Sequence, residues 1–385
     1  MAERCAVIGI GQTRHAAKRL DVSLPGLVRE AAQEALSDAN MDWSDMDAVV
    51  LGKAPDMFEG VIMPELSLAG ALGAVGKPMM RVHTAGSVGG STAVVASNLI
   101  RSGVHRRVLT VAYEKQSESN AMWALSHKYP FAPPVMAGAG GYFAPVIREY
   151  IRRSGAPDHI GHLVAVKDRI NGLANPKAHL QLADIDIEKV RNSPMLWEPI
   201  RYLESCPSSD GAAAMVLTDE HYADAGSAPP AWLHGAAMRS EPLLFADRDE
   251  VNPRAGWDAA RAMYDEAGIT NPIHDIDTAE IYVPFSWYEP MWLENLGFSD
   301  RDEGWCRVED GTTQMGGALP INPSGGVMCS NPIGASGMLR FAEAAMQVRG
   351  QAGDHQVDGA KVALGHAYGG GSQFFSMWIV GAKRP

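Results

Sequence analysis

The sequence predicts an α/β fold built from two similar halves, in which helices cover mainly parallel sheets. Two echoes along the 385 residues carry this prediction. AAQEALSDANM at 31 to 41 is followed by DMDAVVLGK, and AARAMYDEAGI at 259 to 269 is followed by DIDTAEIYV. Each pair is an alanine-rich amphipathic helix that leads through an acidic turn into a β-branched strand. Two such units indicate a duplicated frame with pseudo-twofold symmetry.

The second echo is longer and joins an apolar lead, a Gly/Ser turn and a long helix. It spans residues 79 to 103 in the first half and 319 to 350 in the second. A strand follows each copy, RRVLTVAYEK at 107 to 116 and AKVALGHAYGG at 360 to 370. The alternative to duplication is that such alternation is common to α/β proteins in general.

The remaining elements complete the order of the chain. Residues 6 to 10 are predicted as the first buried strand, and AAAMVLTDE at 212 to 220 resumes the first half. The stretch between the halves keeps periodic apolar residues, with helices around 144 to 153 and 158 to 170, which indicates an inserted lid or loop domain. The predicted domains are the first half at 1–116 plus 206–225, the loop domain at 117–205 and the second half at 229–385.

The composition argues against several classes of partner. The formal charge of -12 disfavours nucleic acid and anionic membranes, because both would repel an acidic surface. The N-terminus has no apolar run of signal-peptide length, and no stretch reaches the roughly 18 apolar residues of a membrane span. The four cysteines show no CxxC or paired spacing, which is typical of a reducing compartment. We therefore expect a soluble, cytoplasmic protein.

Five short motifs resemble those of the thiolase superfamily, and most closely its sterol-carrier and lipid-transfer-protein branch. They are NGLANPKAH at 171 to 179, CPSSDGAAAMVL at 206 to 217, INPSGG at 321 to 326, NPIGASG at 331 to 337 and GHAYGGGSQ at 365 to 373. The resemblance covers nearly the whole chain. It implies a duplicated thiolase fold of two βαβαβαββ halves in five α-β-α-β-α layers, with an inserted loop domain over the site.

The same resemblance implies a ligand and partners. The substrate would be a CoA thioester, with no metal and no covalently bound cofactor. The assembly would be a homodimer, or a heteromer that contains a second thiolase-like chain, a small OB-fold zinc-ribbon protein or both.

The turn that would carry a thiolase nucleophile lacks it. Thiolase chemistry needs a cysteine at the start of a central helix, where the helix dipole lowers the thiol pKa, and a histidine that takes its proton. The family cysteine falls on Gly86, or on Ser87 after a shift of register, so both are predicted to bind substrate instead. Asn331 stands where the family has its histidine, and an amide cannot accept a proton near neutral pH.

The other cysteines offer one alternative nucleophile. Cys329 lies two residues before Asn331, in a turn that we expect to face the site. Cys206 begins the CPSSDG motif and is interpreted as a small core residue. Cys5 and Cys306 have no supporting context.

The last glycine-rich motif keeps polar groups. The resemblance places His366 at a catalytic position, in the turn between the last two strands, and Tyr368 follows it. The backbone N–H groups of Gly369 and Gly370 can stabilise a thioester oxygen, because glycine allows a ligand to approach closely. The alternative is an ordinary glycine-rich turn with a surface histidine.

A tyrosine replaces a further family motif. Tyr282 lies at a strand end where relatives carry Asn-Glu-Ala-Phe or His-Asp-Ala-Phe, and Phe285 is kept. Relatives that cleave carbon–carbon bonds by retro-aldol chemistry resemble this pattern of a tyrosine without a nucleophilic cysteine. Ser324 and Gly325 of INPSGG complete the predicted substrate-binding residues. His83 is a further catalytic candidate, and its alternative is a strand histidine without a catalytic role.

These residues support three hypotheses. The first is a carbon–carbon lyase that acts on a bulky steroid- or lipid-derived acyl-CoA, in which Tyr282 needs a neighbour such as His366, because a free tyrosine is a poor base. The second is an acyltransferase with a displaced nucleophile such as Cys329. The third is a non-catalytic subunit that binds CoA or scaffolds a thiolase-type heteromer.

Overall fold

The computed structural model describes residues 3–54, 63–119, 138–242 and 248–385. The strands are β1 (Cys5–Gln12), β2 (Ala48–Lys53), β3 (Met79–Val82), β4 (Arg107–Lys115), β5 (Met195–Trp197), β6 (Ile200–Arg201), β7 (Asp210–Asp219), β8 (Ala231–Ser240), β9 (Thr278–Glu280), β10 (Val362–Gly369) and β11 (Phe374–Gly381). The helices are α1 (Leu24–Asp38), α2 (Glu65–Leu68), α3 (Val88–Arg101), α4 (Gly138–Ser154), α5 (His159–Leu173), α6 (Ile187–Arg191), α7 (Arg254–Ala267), α8 (Pro272–Asp275), α9 (Tyr288–Asn295), α10 (Gly304–Glu309), α11 (Gly326–Cys329) and α12 (Ile333–Arg349).

The strand order confirms the duplication. The large sheet runs β3-β2-β4-β7-β1-β8-β11-β10-β9, with β1 and β8 antiparallel at the seam between the halves. Outward from the seam, each half has two antiparallel pairings and then a parallel one, β1-β7-β4-β2 on one side and β8-β11-β10-β9 on the other. An isolated parallel bridge between Ala279 and Ile321 takes the place that β3 has in the first half. The two halves therefore repeat one topology.

Two central helices separate the halves of the sheet. Helices α3 and α12 pack on each other and contact strands of both halves, while α1 covers β1 and β7 and α7 covers β8 and β11. The central crossing is close because it contains glycine. A Cβ atom built on Gly89 would lie 2.4 Å from the backbone nitrogen of Met338, which no side chain could tolerate without movement of a helix. This arrangement gives the five layers that the resemblance implied.

The segment between β4 and β7 contains α4, α5, α6 and the β5–β6 hairpin. The helices predicted around 144 to 153 and 158 to 170 are present and extend further, as α4 and α5. Residues 120–137 of the predicted loop domain lie outside the described residues, so the domain limits remain a prediction. No helix in the described parts of the chain is long and apolar enough to cross a membrane.

The strand predicted from DIDTAEIYV is shorter than expected. Strand β9 ends at Glu280, because side chains replace the next backbone partners. The N–H of Ile281 donates to Asn322 Oδ1 at 2.8 Å, and the N–H of Tyr282 donates to His366 Nδ1 at 3.3 Å. The chain thus leaves the sheet just before Tyr282.

Candidate active site

A cavity of about 490 Å³ opens where the two halves meet α4 and the β5–β6 hairpin. Its walls come from the turn before α3, the start of α4, residues 205 to 208, residues 282 to 285 and the end of β10. It brings together seven residues that the sequence predicts for the site: Gly86, Tyr282, Phe285, Asn331, Tyr368, Gly369 and Gly370. Positions far apart in the sequence therefore form one pocket, because the central helices and the strand ends of both halves meet there.

The other predicted site residues do not line this cavity. His83 is exposed, upstream of the turn. Ser87 is fully buried and its hydroxyl donates to the carbonyl of Thr84 at 2.7 Å. Ser324 is also buried and donates to Glu280 at 2.9 Å. Gly325, which follows it, packs against α5 instead. The hydroxyl groups of Ser87 and Ser324 thus hold the loops behind the cavity wall.

Tyr282 is fixed at both its backbone and its side chain. The indole nitrogen of Trp292 donates to its carbonyl at 2.9 Å, and His366 accepts its N–H. The phenol O–H donates to Asn331 Oδ1 at 3.3 Å. Burial raises the pKa of Tyr282 above its ordinary value, because the phenolate would lose its hydration. Tyr282 is therefore a neutral phenol near pH 7, and its oxygen lone pairs remain available to a ligand.

The structure corrects the predicted position of His366. It lies within β10, fully buried, and not in the turn that follows. Its ring packs against those of Trp292, Tyr368 and Phe375. Burial lowers the pKa of His366 to about 3, so the imidazole is neutral. Since Nδ1 accepts the N–H of Tyr282, the proton belongs on Nε2, which has no partner among the described residues. His366 positions Tyr282 and does not face the cavity.

Asn331 is the most heavily bonded polar residue of the wall. Its Oδ1 accepts the Tyr282 phenol and, at 2.7 Å, the hydroxyl of Ser336. Its Nδ2 donates to the sulfur of Cys206 at 3.1 Å. The side chain of Gln116 donates to its carbonyl. These contacts fix the amide orientation, with the oxygen toward Tyr282 and the nitrogen toward Cys206.

Gly86 leaves an open space in the cavity wall. A Cβ atom there would lie 3.3 Å from the carbonyl oxygen of Tyr368 and 3.9 Å from the Tyr282 hydroxyl oxygen. A side chain at this position would thus point between the two tyrosines, whose ring centroids are 5.3 Å apart. The preceding Ala85 has a φ of 52°, an uncommon conformation for a residue with a Cβ.

Cys329 and Cys206 do not lie where the sequence suggested. Cys329 is fully buried, and its thiol donates to the carbonyl of Asp168 at 3.3 Å, so it does not face the cavity. Burial raises the pKa of Cys329 to about 12. Cys206 lines the cavity instead, although burial raises its thiol pKa to about 11. No local signal could reveal this, because Cys206 reaches the site through a long-range bond from its N–H to the carbonyl of Pro284.

One wall of the cavity was not predicted and is apolar. Phe143 and Ile333 line it, and Trp197 lies over the start of α4. A Cβ atom on Gly140 would be 2.2 Å from the Trp197 ring, so only glycine permits this packing. Within the described residues, the lining carries no charged side chain, and no group of three or more potential ligands could hold a metal ion.

Comparisons with known proteins agree with this geometry. Residues 235–382 match the family described as thiolase C-terminal domain-like. The chain is 30% identical over 382 residues to acetyl-CoA acetyltransferase of Methanothermobacter thermautotrophicus, covering 95% of this chain and 96% of that protein. The chain belongs to the thiolase superfamily.

Two further relatives place this thiolase-superfamily protein in the lipid-transfer branch. It is 29% identical to human sterol carrier protein 2, over 98% of this chain and 72% of that protein. A solved structure of the Ltp2-ChsH2(DUF35) aldolase superposes with a TM-score of 0.87 and 27% identity, covering 100% of this chain and 99% of the other. The fold implied by the sequence motifs is therefore confirmed for this member of the superfamily.

Proposed function

We propose that the protein cleaves a carbon–carbon bond of a β-hydroxyacyl-CoA by a retro-aldol reaction. The observation that carries this proposal is the Tyr282 phenol held by Asn331 beside Gly86, the position to which the sequence motif assigns the family cysteine. A retro-aldol cleavage forms no covalent intermediate with the enzyme and therefore needs no thiolate there. The similarity to an Ltp2-ChsH2(DUF35) aldolase supports the same chemistry.

The reaction is balanced without a redox cofactor. The β-hydroxyl loses its proton, the Cα–Cβ bond breaks, and its electron pair enters the thioester as an enolate. A proton then returns to Cα, which gives a ketone or aldehyde and a shorter acyl-CoA. We assign the proton transfer to Tyr282, with Tyr368 beside it. The Tyr282 oxygen takes the β-hydroxyl proton while the phenol hydrogen goes to Cα of the enolate, so no further base is needed.

The enolate oxygen needs donors in a water-poor site. We propose the backbone N–H groups of Gly369 and Gly370 for this role, since both residues line the cavity. The apolar lining around Phe143 and Trp197 supports a bulky, uncharged acyl group, as in a steroid- or lipid-derived substrate. The CoA thioester itself is inferred from the acetyl-CoA acetyltransferase relative.

The variant Tyr282→Phe tests this function. It removes the hydroxyl and keeps the ring, so kcat for release of the ketone or aldehyde should fall by about 10² to 10⁴. Mass spectrometry of both products measures the rate. Tyr264→Phe is the matched control, because that buried phenol bonds to the carbonyl of Leu296 and does not line the cavity. Undiminished turnover by Tyr282→Phe would refute the proposal.

Acyl transfer is a second candidate, and Cys206 favours it because its thiol lines the cavity. The raised thiol pKa opposes this candidate, since little thiolate is present near pH 7. Intact-mass measurement after incubation with acetyl-CoA separates the two functions. An acyl adduct that disappears in Cys206→Ser would establish acyl transfer, and its absence leaves the lyase.

We also propose that the protein works in an assembly with a small OB-fold zinc-ribbon chain of the DUF35 type. The similar Ltp2 protein has been solved as a complex with ChsH2(DUF35), which supports this partner. The other possible assemblies are a homodimer and a heteromer with a second thiolase-like chain. If the protein is only a scaffold, it would have no activity of its own in any of these assemblies. The four free cysteines support a reducing, cytoplasmic setting.

A further inference from the structure

The NGLANPKAH motif and the serine before Asp210 have no part in the function proposed above, yet both touch the active-site loop. Asn175 donates through Nδ2 to the carbonyl of Ser324 at 3.1 Å. The N–H of His179 donates to Ser330 Oγ at 2.9 Å, and the N–H of the next residue donates to the carbonyl of Cys329 at 3.0 Å. The motif therefore runs along the loop that ends at the cavity.

The last residue of this motif reaches Asn331 through one serine. The Nδ1 atom of His179 lies 2.9 Å from Ser209 Oγ, and the N–H of Asn331 donates to the same oxygen at 3.1 Å. Ser209 also donates its own N–H to the carbonyl of Asn331 at 3.3 Å. Ser209 is fully buried, while His179 is half-buried. Ser209 thus forms two hydrogen bonds with the backbone of Asn331, on the side away from the cavity.

The proton arrangement in this chain follows from the donors. The Ser209 hydroxyl accepts from Asn331, and we assign its own hydrogen to the contact with His179 Nδ1. This requires a neutral imidazole with its proton on Nε2. Burial lowers the pKa of His179, with the carboxylate of Asp210 opposing the shift, so the neutral form dominates near pH 7.

We propose that Ser209 and His179 are positioning residues for Asn331, and that through it they set the place of the Tyr282 hydroxyl against the substrate. This inference rests on the proposed function. The amide of Asn331 has both its oxygen and one N–H committed to fixed partners, which leaves its second N–H for a substrate oxygen. A backbone shift at Asn331 would move that N–H and the Tyr282 hydroxyl together.

The kinetic test compares two replacements of His179 in the full chain. His179→Ala removes the acceptor, and kcat should fall by about 10- to 100-fold because small displacements of catalytic groups cost that much. KM should stay within about twofold, since the apolar acyl wall is untouched. His179→Asn restores an acceptor near the position of Nδ1 and should recover kcat to within about threefold of the parent. Ser209→Ala should resemble His179→Ala.

Two control variants separate positioning from general loss of structure. Ser193→Ala removes another buried serine hydroxyl, one that bonds to Val190 outside the cavity. His274→Ala changes an exposed histidine on α8. Both should keep the kcat of the parent. Equal losses of kcat in His179→Ala and His179→Asn at matched melting temperatures would overturn the proposal.

A second readout does not depend on turnover. Asn331 donates to the Cys206 sulfur and thereby favours its thiolate, so a displaced Asn331 should slow alkylation of Cys206 by iodoacetamide. Peptide mass spectrometry should show at least a threefold slower rate in His179→Ala than in His179→Asn, with Cys306 as the internal reference. An unchanged Cys206 rate overturns the positioning role. If the parent cleaves no β-hydroxyacyl-CoA, the proposed function fails while the alkylation result still stands.

Discussion

At the scale of one residue, the absence of a side chain at Gly86 determines how much space the cavity offers a ligand. Its missing side chain leaves open the space between the carbonyl of Tyr368 and the hydroxyl of Tyr282. The contacts that a Cβ would make, at 3.3 to 3.9 Å, are tight but tolerable. A side chain would therefore fit the fold and compete with the substrate.

Gly86→Ala should separate binding from stability. The methyl group would lie beside the Tyr282 hydroxyl, so kcat/KM for a bulky β-hydroxyacyl-CoA should fall by about tenfold or more. The free energy of unfolding should change by less than about 1 kcal/mol, because the methyl group enters a cavity and not a packed core. Steady-state kinetics and urea unfolding measure the two effects. Unchanged kcat/KM would mean that substrate does not use this space.

Two buried histidines should make the protein sensitive to acid. Burial lowers the pKa of His15 and of His366 from 6.5 to about 3. Between these values the unfolded chain binds more protons than the folded one, so stability is complete above pH 6.5 and is lost as the pH falls toward 3. At pH 5, each histidine should lower the free energy of unfolding by about 2 kcal/mol.

His366→Asn checks this dependence while it keeps an acceptor near the N–H of Tyr282. Urea unfolding at pH 8 and pH 5 should show a difference smaller by about 2 kcal/mol than in the parent. His274→Ala, on the surface, should leave the difference unchanged. A His366→Asn protein with the parent's full loss at pH 5 would contradict a buried neutral histidine.

The residues of the site differ in how far the sequence could reveal them. Gly86, Asn331 and Tyr282 stand at motif positions, and the structure brings all three to one cavity. The burial of His366 could not be predicted, since it depends on the rings of Trp292 and Phe375 that pack against it. Cys206 packs against the core, as interpreted, and it also lines the cavity, which depends on a distant loop.

At the scale of elements, the crossing of α3 and α12 sets the geometry of the site. Both helices begin at the cavity, one after Gly86 and the other after Asn331. They cross closely at glycine, with Gly89 against the backbone of Met338. The distance between Gly86 and Asn331 therefore depends on that contact.

Gly89→Ala should force the helices apart. Its methyl group would lie 2.4 Å from a backbone nitrogen, and relief of that clash should cost about 2 kcal/mol or more. Activity should fall as well, because both helix starts would move. Gly70→Ala is the control, since nothing lies within 4 Å of a Cβ at that position. Equal urea midpoints for the two variants would show that the crossing can relax freely.

Element boundaries were predictable where apolar periodicity is strong. Helices α1 and α7 cover most of the stretches expected at 31 to 41 and 259 to 269 but begin and end earlier, and α3 and α12 lie within the two copies of the second echo. The strand predicted at β9 was too long, because its apolar pattern continues into residues whose N–H groups bond to Asn322 and His366. Side-chain acceptors brought in from distant loops leave no trace in a local pattern.

At the scale of the whole molecule, the two halves share a topology but contribute different residues to the cavity. The first half supplies Gly86 and Gln116, and the second supplies Tyr282, Asn331 and Tyr368. Cys206 and Ser208 of the first half also line the cavity, so both halves contribute polar groups to it. Duplication predicted the frame, but not this division.

The assembly proposed above is testable with the whole chain. Coexpression with a DUF35-type OB-fold zinc-ribbon protein should give a complex that coelutes on size exclusion, with higher lyase activity than the chain alone. A stable homodimer with full activity and no coelution would remove the need for that partner. An assembly without any activity, in which another chain is active, would support a scaffolding role.

The uncharged lining of the cavity, as far as the chain is described, also bears on the heat of binding. An acyl group that enters it exchanges water for apolar contacts around Phe143 and Trp197, and such burial lowers the heat capacity. Calorimetry with CoA esters that differ only in acyl size should therefore give a heat-capacity change that becomes more negative with each added apolar group. That slope should be nearly independent of ionic strength, because no charge pair forms at the acyl end.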